Sequence, residues 1–431
     1  AFVGAMVIDG TGTPPHQTSI LVEDGRIVSL DGPIGDAAVV DLTGKWLIPG
    51  LIDAHVHFFQ SGSLYTRPDV VDLRHVVPYR SEIAALRARL DETLARTFAA
   101  GITAVLDLGG PPWVLELRHR ADDLATAPRV VAVGPLLATW APREISGGAI
   151  TLIETPEQAV AEVRRQAAEG VEMVKVWFIR RGRGQTLEVA RRWIAAAMDE
   201  AHRLGLRVAV HATQLETARI AVALGADLLV HSVDDAALDP ALLESLGSRV
   251  PYIPTLGVYD AYWRVLGQSL GLNALDNRYG DPDVLATLDD LSTMRREQRP
   301  HWLSFGEPPP INPLMLDNLA RAHAAGVTIA AGSDAGNIGT LPGAGFHREL
   351  ALMADAGLDP LSILLAATRN AAKALGRSDI GTLEPGQRAD VVVLDADPLS
   401  DIANAARIHR VIKDGIMHDP DAILAGLSNG E

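Results

Sequence analysis

The stretch "LIDAHVHF", residues 51–58, is an apolar run that ends in two histidines one residue apart. Side chains of a β-strand alternate between its two faces, so His55 and His57 would point the same way, about 6.5–7 Å apart. That arrangement suits two ligands of one metal ion. A pair of hydrogen-bonded core histidines is the alternative, and the rest of the chain has to decide between them.

Further apolar runs follow, separated by helix-patterned stretches such as residues 81–101 and 187–205. Both of these stretches end at a glycine, as helices often do. Strands that alternate with helices predict βα units around a parallel sheet, here an α/β fold of the (β/α)8 TIM barrel type. The eight runs are "LIDAHVHF" (51–58), "TAVLDLG" (103–109), "RVVAVG" (129–134), "MVKVWF" (173–178), "RVAVHA" (207–212), "LLVHSV" (228–233), "YIPTLG" (252–257) and "TIAAGSD" (328–334).

The two ends of the chain have a different pattern, in which short strands are separated by turns. Asp24 and Gly25 between alternating apolar residues are a hairpin signal. A similar pattern returns in "GTLEPGQRADVVVLDAD" and "RIHRVIKDGIMHD". We therefore predict a small β-sandwich domain built from both termini, residues 1–49 and 381–431, attached to a barrel at residues 50–380.

The composition narrows the class of protein and of partner. A chain of 431 residues with 48% hydrophobic and 21% charged residues predicts a globular protein with a large core. The formal net charge of −16 argues against nucleic acid or an anionic membrane as a partner, so a small-molecule substrate is expected. The chain has no cysteine, so any metal ion must be held by nitrogen and oxygen atoms.

Location and assembly are predicted from the same features. No apolar run approaches the length of a membrane span, and the chain begins without a leader pattern. A cytoplasmic location is expected, or a periplasmic or secreted one if a leader preceded Ala1. The apolar stretch "LSILLAATRNAAKALG", residues 361–376, predicts an exposed helical face and a homo-oligomer.

The ends of the predicted strands carry a concentrated set of polar residues. In a barrel the catalytic residues lie at the carboxyl ends of the strands. Taken singly, a histidine can be a satisfied core residue, and an aspartate can cap the next helix. Taken together, these residues predict one metal-binding catalytic site at one mouth of the barrel: His55 and His57 on strand one, Lys175 on strand four, His211 on strand five, His231 on strand six and Asp334 on strand eight.

Lys175 indicates how many metal ions to expect. Its strand neighbours are apolar, and burial of a charged ammonium is costly unless it is paired or neutralised. Burial lowers the pKa of a lysine and favours the free amine. A free amine can react with carbon dioxide to give a carbamate, N6-carboxylysine, whose two oxygens can bridge two metal ions.

The order of these residues resembles the amidohydrolase superfamily, in its subtype with a binuclear metal centre and a carboxylated lysine. The resemblance covers essentially the whole chain and includes "GKWLIPGLIDAHVH", "GITAVLDLGG", "GSDAG" and "AATRNAAKALGRSDIGTLEPGQRADVVVLDADPL". Within the superfamily, the chain looks most similar to the prolidase-like and imidazolonepropionase-related group.

The resemblance implies a cofactor and a mechanism. Zinc is the expected ion, with manganese, cobalt and iron as alternatives. A hydroxide that bridges two ions would attack the substrate carbonyl, and Asp334 would act as general base and then as general acid. Catalytic roles are implied for Asp334, His231 and Lys175. The implied metal ligands are His55, His57, Lys175 and Asp334 for the more buried ion, and Lys175, His211 and His231 for the more exposed ion.

Three functions stay open. The preferred one is a metal-dependent C–N hydrolase for a dipeptide, an N-acyl amino acid, or an aryl amide, carbamate or urea. The second is a cyclic amidohydrolase or deaminase of the same superfamily, and the third is a non-catalytic metal- or ligand-binding protein. Related deaminases usually carry a glutamate three residues after the strand-five histidine, where this chain has Gln214, which favours hydrolysis.

Substrate contacts are predicted on the loops that follow strands three, four and seven. Trp140, Arg143, Arg180 and Tyr259 supply aromatic and cationic groups that suit an amide with an apolar side chain and a free carboxylate. "PTLGVY" resembles prolidase-like relatives in which a tyrosine after strand seven helps to hold the substrate. Those relatives often carry a "GGH"-type histidine after strand three, and the "PREISGG" of this chain weakens a prediction of Xaa-Pro specificity.

Overall fold

The computed structural model describes residues 1–142, 144–145, 147–179, 186–267, 271–293 and 311–428. The chain has a mixed α/β fold, with parallel sheets in the middle of the sequence and two further sheets built from its ends. Within these residues, no helix combines the length and the apolar composition that a membrane crossing requires.

Strands from both ends of the chain form two sheets, in the orders β5-β4-β1-β6 and β19-β18-β17-β7-β2-β3. Strand β17 runs antiparallel to β7, with Val391 opposite Pro49. The strands are β1 (Phe2–Val3), β2 (Met6–Val7), β3 (His16–Gln17), β4 (Ile20–Glu23), β5 (Arg26–Leu30), β6 (Val40–Asp41), β7 (Trp46–Pro49), β17 (Val391–Leu394), β18 (Ile408–Lys413) and β19 (Ile416–His418).

The two terminal sheets share one apolar core. Phe2 and Ile20 from one sheet pack in the same buried cluster as Leu47, Val393 and Ile412 from the other. The two ends of the chain therefore form one packed unit, as their sequence pattern predicts. The exact domain boundaries stay predictions, because β7 is followed by the first central strand after a single residue.

The central strands form parallel ladders in the orders β10-β9-β8 and β12-β11-β13-β14-β15-β16. In the pairing of β13 with β14, Lys175 is opposite Ala209 and Trp177 is opposite His211. The strands are β8 (Leu51–Val56), β9 (Ile102–Asp107), β10 (Arg129–Ala132), β11 (Leu136–Ala138), β12 (Ile150–Leu152), β13 (Met173–Trp177), β14 (Arg207–His211), β15 (Leu228–Val230) and β16 (Tyr252–Ile253).

The predicted eighth strand is not regular. Residues 328–335 form only isolated bridges at Ile329 and Ala335, because Asp334 has a left-handed backbone, with φ of 56°, that a strand cannot contain. The segment still lies between β16 and β8, since the amides of Tyr252 and Ala54 donate to its carbonyls at 2.8 and 2.9 Å. The described backbone has no ladder between β10 and β13, so closure of the barrel stays a prediction.

Helices follow most of the central strands, and several begin with a side-chain cap. Thr155 accepts a hydrogen bond from the Gln158 amide at the start of α4, and Asp239 caps α7 in the same way. The helices are α1 (Tyr79–Ala88), α2 (Leu90–Ala99), α3 (Leu117–Asp122), α4 (Pro156–Ala168), α5 (Leu187–Arg203), α6 (Leu215–Ala223), α7 (Pro240–Leu246), α8 (Leu256–Leu266), α9 (Ala274–Tyr279), α10 (Pro282–Thr287), α11 (Asp290–Thr293), α12 (Pro313–Ala324), α13 (Ala344–Asp355), α14 (Pro360–Ala366), α15 (Arg369–Leu375) and α16 (Pro420–Ser428), with 3-10 turns at Pro112–Glu116 and Ile402–Ala406.

The expectation of an exposed apolar face at residues 361–376 is wrong. Helices α14 and α15 bury Ile363, Leu364, Ala371 and Leu375 within the chain itself. Their apolar composition reflects packing within the chain, against the central sheet and the neighbouring helices. The predicted homo-oligomer loses the support of this stretch.

Candidate metal centre

Three of the predicted ligands meet at the carboxyl end of β8. The Nε2 atoms of His55 and His57 lie 3.3 Å apart, and each lies 3.4 Å from Asp334 Oδ1. One ligand atom from each of the three residues lies within 4.8 Å of the others, and all three side chains are buried. The alternation of β8 brings the two histidines to one face, as the sequence predicts.

The remaining predicted histidines extend this cluster. The His231 ring centre is 4.9 Å from that of His55, and the His211 ring centre is 4.1 Å from that of His231. His231 Nδ1 also lies 3.8 Å from Asp334 Oδ2. Strands β8, β14 and β15 and the segment after residue 328 therefore direct four imidazoles and one carboxylate to a common point.

Several buried polar atoms at this point lack a hydrogen-bond partner within the described residues. They are His55 Nδ1, Lys175 Nζ and Asp334 Oδ1. Buried polar groups are nearly always hydrogen-bonded. Unpaired nitrogen and oxygen atoms that lie close together therefore indicate a binding site. Imidazole nitrogens and carboxylate oxygens are common ligands of divalent metal ions. The residues present thus fit a metal site.

Burial keeps the imidazoles neutral. It lowers the pKa of His57 to about 3, and it holds the pKa values of His55, His211 and His231 well below the usual range. The charge of Lys175 lowers each of these pKa values further. A neutral imidazole keeps a lone pair on one ring nitrogen, which is the form that binds a metal ion.

Burial shifts the pKa values of Lys175 and Asp334 towards one another. Burial lowers the pKa of the Lys175 amine, and the charge of Asp334 opposes that shift. Burial raises the pKa of the Asp334 carboxyl, and the charges of Lys175 and Arg67 oppose that shift. Both groups can therefore change their protonation state more readily than exposed groups of the same type.

Neighbouring groups fix the orientation of two imidazoles. His57 Nδ1 donates to the Gly109 carbonyl at 2.7 Å, which leaves Nε2 as the free lone pair. The Asp107 carboxylate accepts the amides of Phe58 and Gly109 at 2.8 and 3.1 Å and so holds this carbonyl in place. His231 Nδ1 lies 2.8 Å from Thr255 Oγ1. Such partners tune both ring orientation and ligand strength.

Asp53 supports the site through the backbone. Its carboxylate accepts hydrogen bonds from Ser333 N at 2.9 Å, Ser333 Oγ at 2.5 Å and His55 N at 3.2 Å. Asp53 therefore ties β8 to the residue that precedes Asp334. Asp53 and Asp107 both lie near strand ends, where orienting a neighbouring imidazole is the natural expectation. Asp107 does so indirectly, through the Gly109 carbonyl, whereas Asp53 holds the backbone of His55.

Strained backbone is concentrated at the centre. His231, Thr255 and Asp334 are buried non-glycine residues with φ values of 73°, 49° and 56°. Such conformations cost about 1–3 kcal/mol each and persist where the surrounding structure enforces them. The hydrogen bonds of Thr255 and Asp53 described above provide that enforcement.

A cavity of about 690 Å³ opens above the cluster, and we call it the metal pocket. Trp140 and Tyr259, two of the predicted substrate contacts, line it together with Trp177, and so does Gln214. Arg143 and Arg180 lie outside the described residues, so their substrate contacts stay predictions. The described part of the wall therefore combines aromatic side chains with polar and charged ones.

Among the described residues, the arginine or lysine that lines the metal pocket is Arg67, which no sequence pattern marks as a site residue. Its Nε and NH2 donate to the two carboxylate oxygens of Asp69 at 2.8 Å each. Its NH1 donates to Tyr262 Oη at 3.1 Å and to Asn337 Oδ1. Arg67 lies in the irregular stretch "TRPD", and no periodic pattern distinguishes that stretch from an ordinary solvated loop.

The comparisons agree with this arrangement. The sequence pattern of the Amidohydrolase family matches residues 46–417. An uncharacterised protein of Mycobacterium tuberculosis is 27% identical over 402 residues, which cover 91% of this chain and 90% of that protein. An imidazolonepropionase of Rubrobacter xylanophilus is 30% identical over 419 residues, with coverage of 88% and 84%.

A solved structure also resembles this chain over almost its whole length. A Bifidobacterium longum protein, provisionally described as a prolidase, superposes with a TM-score of 0.72 at 26% identity and covers 99% of this chain and 98% of its own. The family pattern spans most of the chain, and the buried histidines with Asp334 fit the divalent metals that this family generally binds. The chain belongs to the amidohydrolase family and is a hydrolase that acts on carbon–nitrogen bonds.

Proposed function

We propose that this protein is a metal-dependent hydrolase of an open-chain amide or peptide-like bond in a small molecule. The observation that carries the proposal is the buried Lys175 amine, which has no hydrogen-bond partner within the described residues and acts electrostatically on the four histidines and Asp334. Related deaminases that bind one metal ion have no use for this lysine. A binuclear hydrolase does.

The ligand set fits two divalent ions. Zinc is the expected ion, because nitrogen and oxygen ligands suit it. Bound divalent ions polarise a carbonyl group and lower the pKa of a water molecule. The residues proposed to hold the two ions are His55, His57, Lys175 and Asp334 for one, and Lys175, His211 and His231 for the other.

Lys175 joins both sets only if it is carboxylated. In that reaction Nζ forms a bond to the carbon of carbon dioxide and releases one proton, which leaves an anionic carbamate. The lowered pKa of Lys175 favours the reactive free amine. The product replaces a buried amine that has no hydrogen-bond partner within the described residues by a carbamate, whose one negative charge is shared by two oxygens that suit metal ions.

Asp334 is the proposed proton carrier. Its carboxylate accepts a proton from the attacking water and then delivers that proton to the leaving nitrogen. Burial raises its pKa, which suits a group that has to hold a proton for part of the cycle. His231 is proposed to act through the ion that it would hold, which would polarise the substrate carbonyl.

The metal pocket favours a substrate with an aromatic or apolar part and an anionic group. Trp140, Trp177 and Tyr259 supply aromatic surface on the wall. Arg67 is paired with Asp69, so the anionic group of the substrate rests on the predicted contacts of Arg143 and Arg180. A dipeptide, an N-acyl amino acid, or an aryl amide, carbamate or urea meets this description. The Bifidobacterium longum relative described as a prolidase supports the dipeptide.

Hydrolysis of a cyclic amide is the second candidate. The relative named imidazolonepropionase, at 30% identity, supports it. Deamination is less favoured, since Gln214 lines the metal pocket at the position where related deaminases usually carry a glutamate. Both candidates use the same pocket, which we also propose to lie at the mouth of a closed (β/α)8 barrel.

The test is a substrate panel offered to the zinc- and manganese-loaded protein. It contains dipeptides, N-acyl amino acids, aryl carbamates, aryl ureas, lactams and aminated heterocycles. We expect release of an amino acid or an aryl amine by the wild type and a loss of at least about a hundredfold in Asp334→Asn, because a positioned acid–base group contributes about 10²–10⁴-fold. Asp317→Asn, at an exposed position paired with Arg321, is the matched control and should keep full activity.

Three results would contradict the proposal. Ammonia released from heterocycles would indicate deamination, and opening of lactams alone would favour the cyclic-amide candidate. Turnover that persists in a folded, metal-containing Asp334→Asn protein would remove Asp334 from the proton-transfer role.

A further inference from the structure

A second cavity, of about 250 Å³, lies apart from the metal pocket, and we call it the side cavity. It is enclosed by the segment that follows His57, by helices α1 and α2 and by the start of α10. Most of its wall is apolar. Residues that matter for the argument are Phe58, Glu82, Leu86, Arg96, Val284 and Leu341.

Glu82 contributes a negative charge to this wall. The side chain is buried, and its Oε1 accepts hydrogen bonds from Ser61 Oγ at 2.5 Å and Ser63 Oγ at 2.7 Å. Within the described part of the chain, no lysine, arginine or histidine lies within ion-pair distance of it. The two serines satisfy one carboxylate oxygen and leave the other for a donor in the cavity.

Arg96 contributes a positive charge to the same wall. The side chain is buried, and its NH1 donates to the Gly280 carbonyl at 3.1 Å. Its Nε has no acceptor, and no carboxylate of the described residues lies within ion-pair distance of the guanidinium. The nearby carboxylates of Asp281 and Asp283 are paired with Arg89 instead.

A buried charge without a counter-charge is costly. The side cavity contains one such negative charge, on Glu82, and one such positive charge, on Arg96. A ligand that carries both an anion and a cation would compensate the two at once, and an apolar group on it would fill the space beside Phe58, Leu86 and Leu341. We propose that the side cavity is a binding site for a free α-amino acid with an apolar side chain. Its carboxylate pairs with Arg96, and its ammonium pairs with Glu82.

The segment that follows His57 lines both cavities, at different residues. Gln60 and Ser63 line the side cavity, whereas Arg67 and Asp69, a few residues further along the same segment, line the metal pocket. A ligand in the side cavity therefore contacts the segment that carries Arg67. The inference does not depend on the reaction proposed above, because it rests on the charges of the side cavity alone.

The experiment is calorimetric titration of the full-length, metal-loaded protein with L-leucine. We expect saturable binding, weakened at least about tenfold in both Glu82→Gln and Arg96→Met. 4-Methylpentanoate, which lacks the ammonium, and 3-methylbutylamine, which lacks the carboxylate, should each bind the wild type at least about tenfold more weakly than L-leucine. L-Leucine should also raise the Tm of the wild type, because a ligand that binds only the folded state stabilises it.

A third variant keeps the test decisive if Arg96→Met does not fold. Ala85 is exposed and lines the side cavity, so Ala85→Trp should block the cavity without a change of charge. Metal content and circular dichroism identify the folded variants. The proposal is wrong if L-leucine does not bind, if its affinity is the same in every variant, or if 4-methylpentanoate binds as tightly as L-leucine. Loss of binding only in Asp334→Asn would place L-leucine in the metal pocket and also overturn the proposal.

Discussion

Two buried lysines in this chain have opposite surroundings. Lys413 is 8% exposed, and its Nζ donates to the carbonyls of Ala127 and Leu124 at 2.8 and 3.3 Å. Lys175 is 1% exposed, and its Nζ has no acceptor within the described residues. Burial of a polar group without a partner costs stability. The hydrogen bonds of Lys413 give it a structural role, and the lack of such bonds at Lys175 supports the role proposed for it at the metal centre.

Lys175→Ala should therefore lose metal rather than stability. We expect close to two ions per chain in the wild type and at most one in the variant, with activity reduced at least about a hundredfold. Added formate, acetate or propionate should restore part of both, because a small carboxylate can replace the carbamate. Elemental analysis and turnover of the best panel substrate measure the effect.

Lys413→Ala is the matched control for this prediction. It should lower the Tm, because two carbonyl groups lose their donor, and leave the metal content of the folded protein unchanged. If Lys175→Ala has the metal content and activity of the wild type, the carbamate at Lys175 is ruled out.

Residues placed by a regular pattern could be predicted from sequence, and residues placed by loops could not. His55 and His57 follow from strand alternation, and His211, His231 and Asp334 follow from their positions at the ends of apolar runs. Arg67 lies in an irregular loop, and its pairing with Asp69 and Asn337 depends on how distant segments meet. Arg143 and Arg180 are predicted as substrate contacts only from the chemistry of their loops, and both lie outside the described residues.

At the scale of elements, the start of helix α8 links a metal-site histidine to another helix. Thr255 precedes α8 in a left-handed conformation and contacts His231 through its hydroxyl. It does not cap the helix with its side chain, and Glu349 on α13 accepts the Gly257 amide at 2.7 Å instead. No sequence pattern predicts this arrangement, because a left-handed threonine is rare and the capping group comes from another helix.

Thr255→Val tests the link to His231. Valine keeps the branched shape and removes the hydroxyl, so His231 loses the partner that orients its ring. We expect metal affinity to fall about 10–100-fold, as is typical when such a partner is lost. Thr255→Ser keeps the hydroxyl and should remain near wild type. Titration of the metal-free proteins with zinc provides the measurement, and equal affinities in the two variants would show that the hydroxyl has no such role.

The Glu349 carboxyl predicts a pH dependence of stability. Burial raises its pKa from 4.5 to about 8, although the amides of Gly257 and Leu256 oppose the shift. A carboxyl whose pKa is higher in the folded state stabilises fully below pH 4.5 and loses that contribution as the pH rises to about 8. A tenfold difference in proton affinity corresponds to about 1.4 kcal/mol, so the loss amounts to a few kcal/mol.

Glu349→Gln should remove this loss, because the amide oxygen still accepts the Gly257 hydrogen bond and cannot ionise. The free energy of unfolding of the variant should increase relative to that of the wild type as the pH rises from about 5 to about 8. Denaturant titrations at several pH values measure the difference, in which the titration of all other groups cancels. A difference that stays constant over this range would contradict the raised pKa of Glu349.

For the whole molecule, the important junction joins the central strands to the sheets built from the termini. The sequence predicts both units from the change in strand pattern, and β17 does pair with β7 across the length of the chain. Side-chain ties between the two units could not be predicted, because charged residues at strand ends occur throughout the sequence. Arg129 at the start of β10 makes such a tie. Its Nε and NH2 donate to the two oxygens of Asp390 at 3.0 and 3.2 Å, and NH2 lies 2.6 Å from Asp414 Oδ2.

The Arg129 tie is mostly hidden from solvent, with side-chain exposures of 12% for Arg129 and 3% for Asp390. Removal of one partner from a buried ion pair leaves an uncompensated charge and costs about 3–5 kcal/mol. Arg129→Met should therefore lower the Tm clearly, while metal content per folded chain stays unchanged, because the metal pocket lies at the other ends of the strands. Thermal denaturation followed by circular dichroism provides the measurement.

Arg120→Met is the matched control, since Arg120 pairs with Asp91 at exposures of 46% and 51%. An exposed pair contributes about 0–1 kcal/mol, so this substitution should leave the Tm nearly unchanged. Both variants replace arginine by methionine, so the contrast compares a buried arginine that has two aspartate partners with an exposed arginine that has one. If the two substitutions lower the Tm equally, the Arg129 tie contributes no more to stability than a surface pair does.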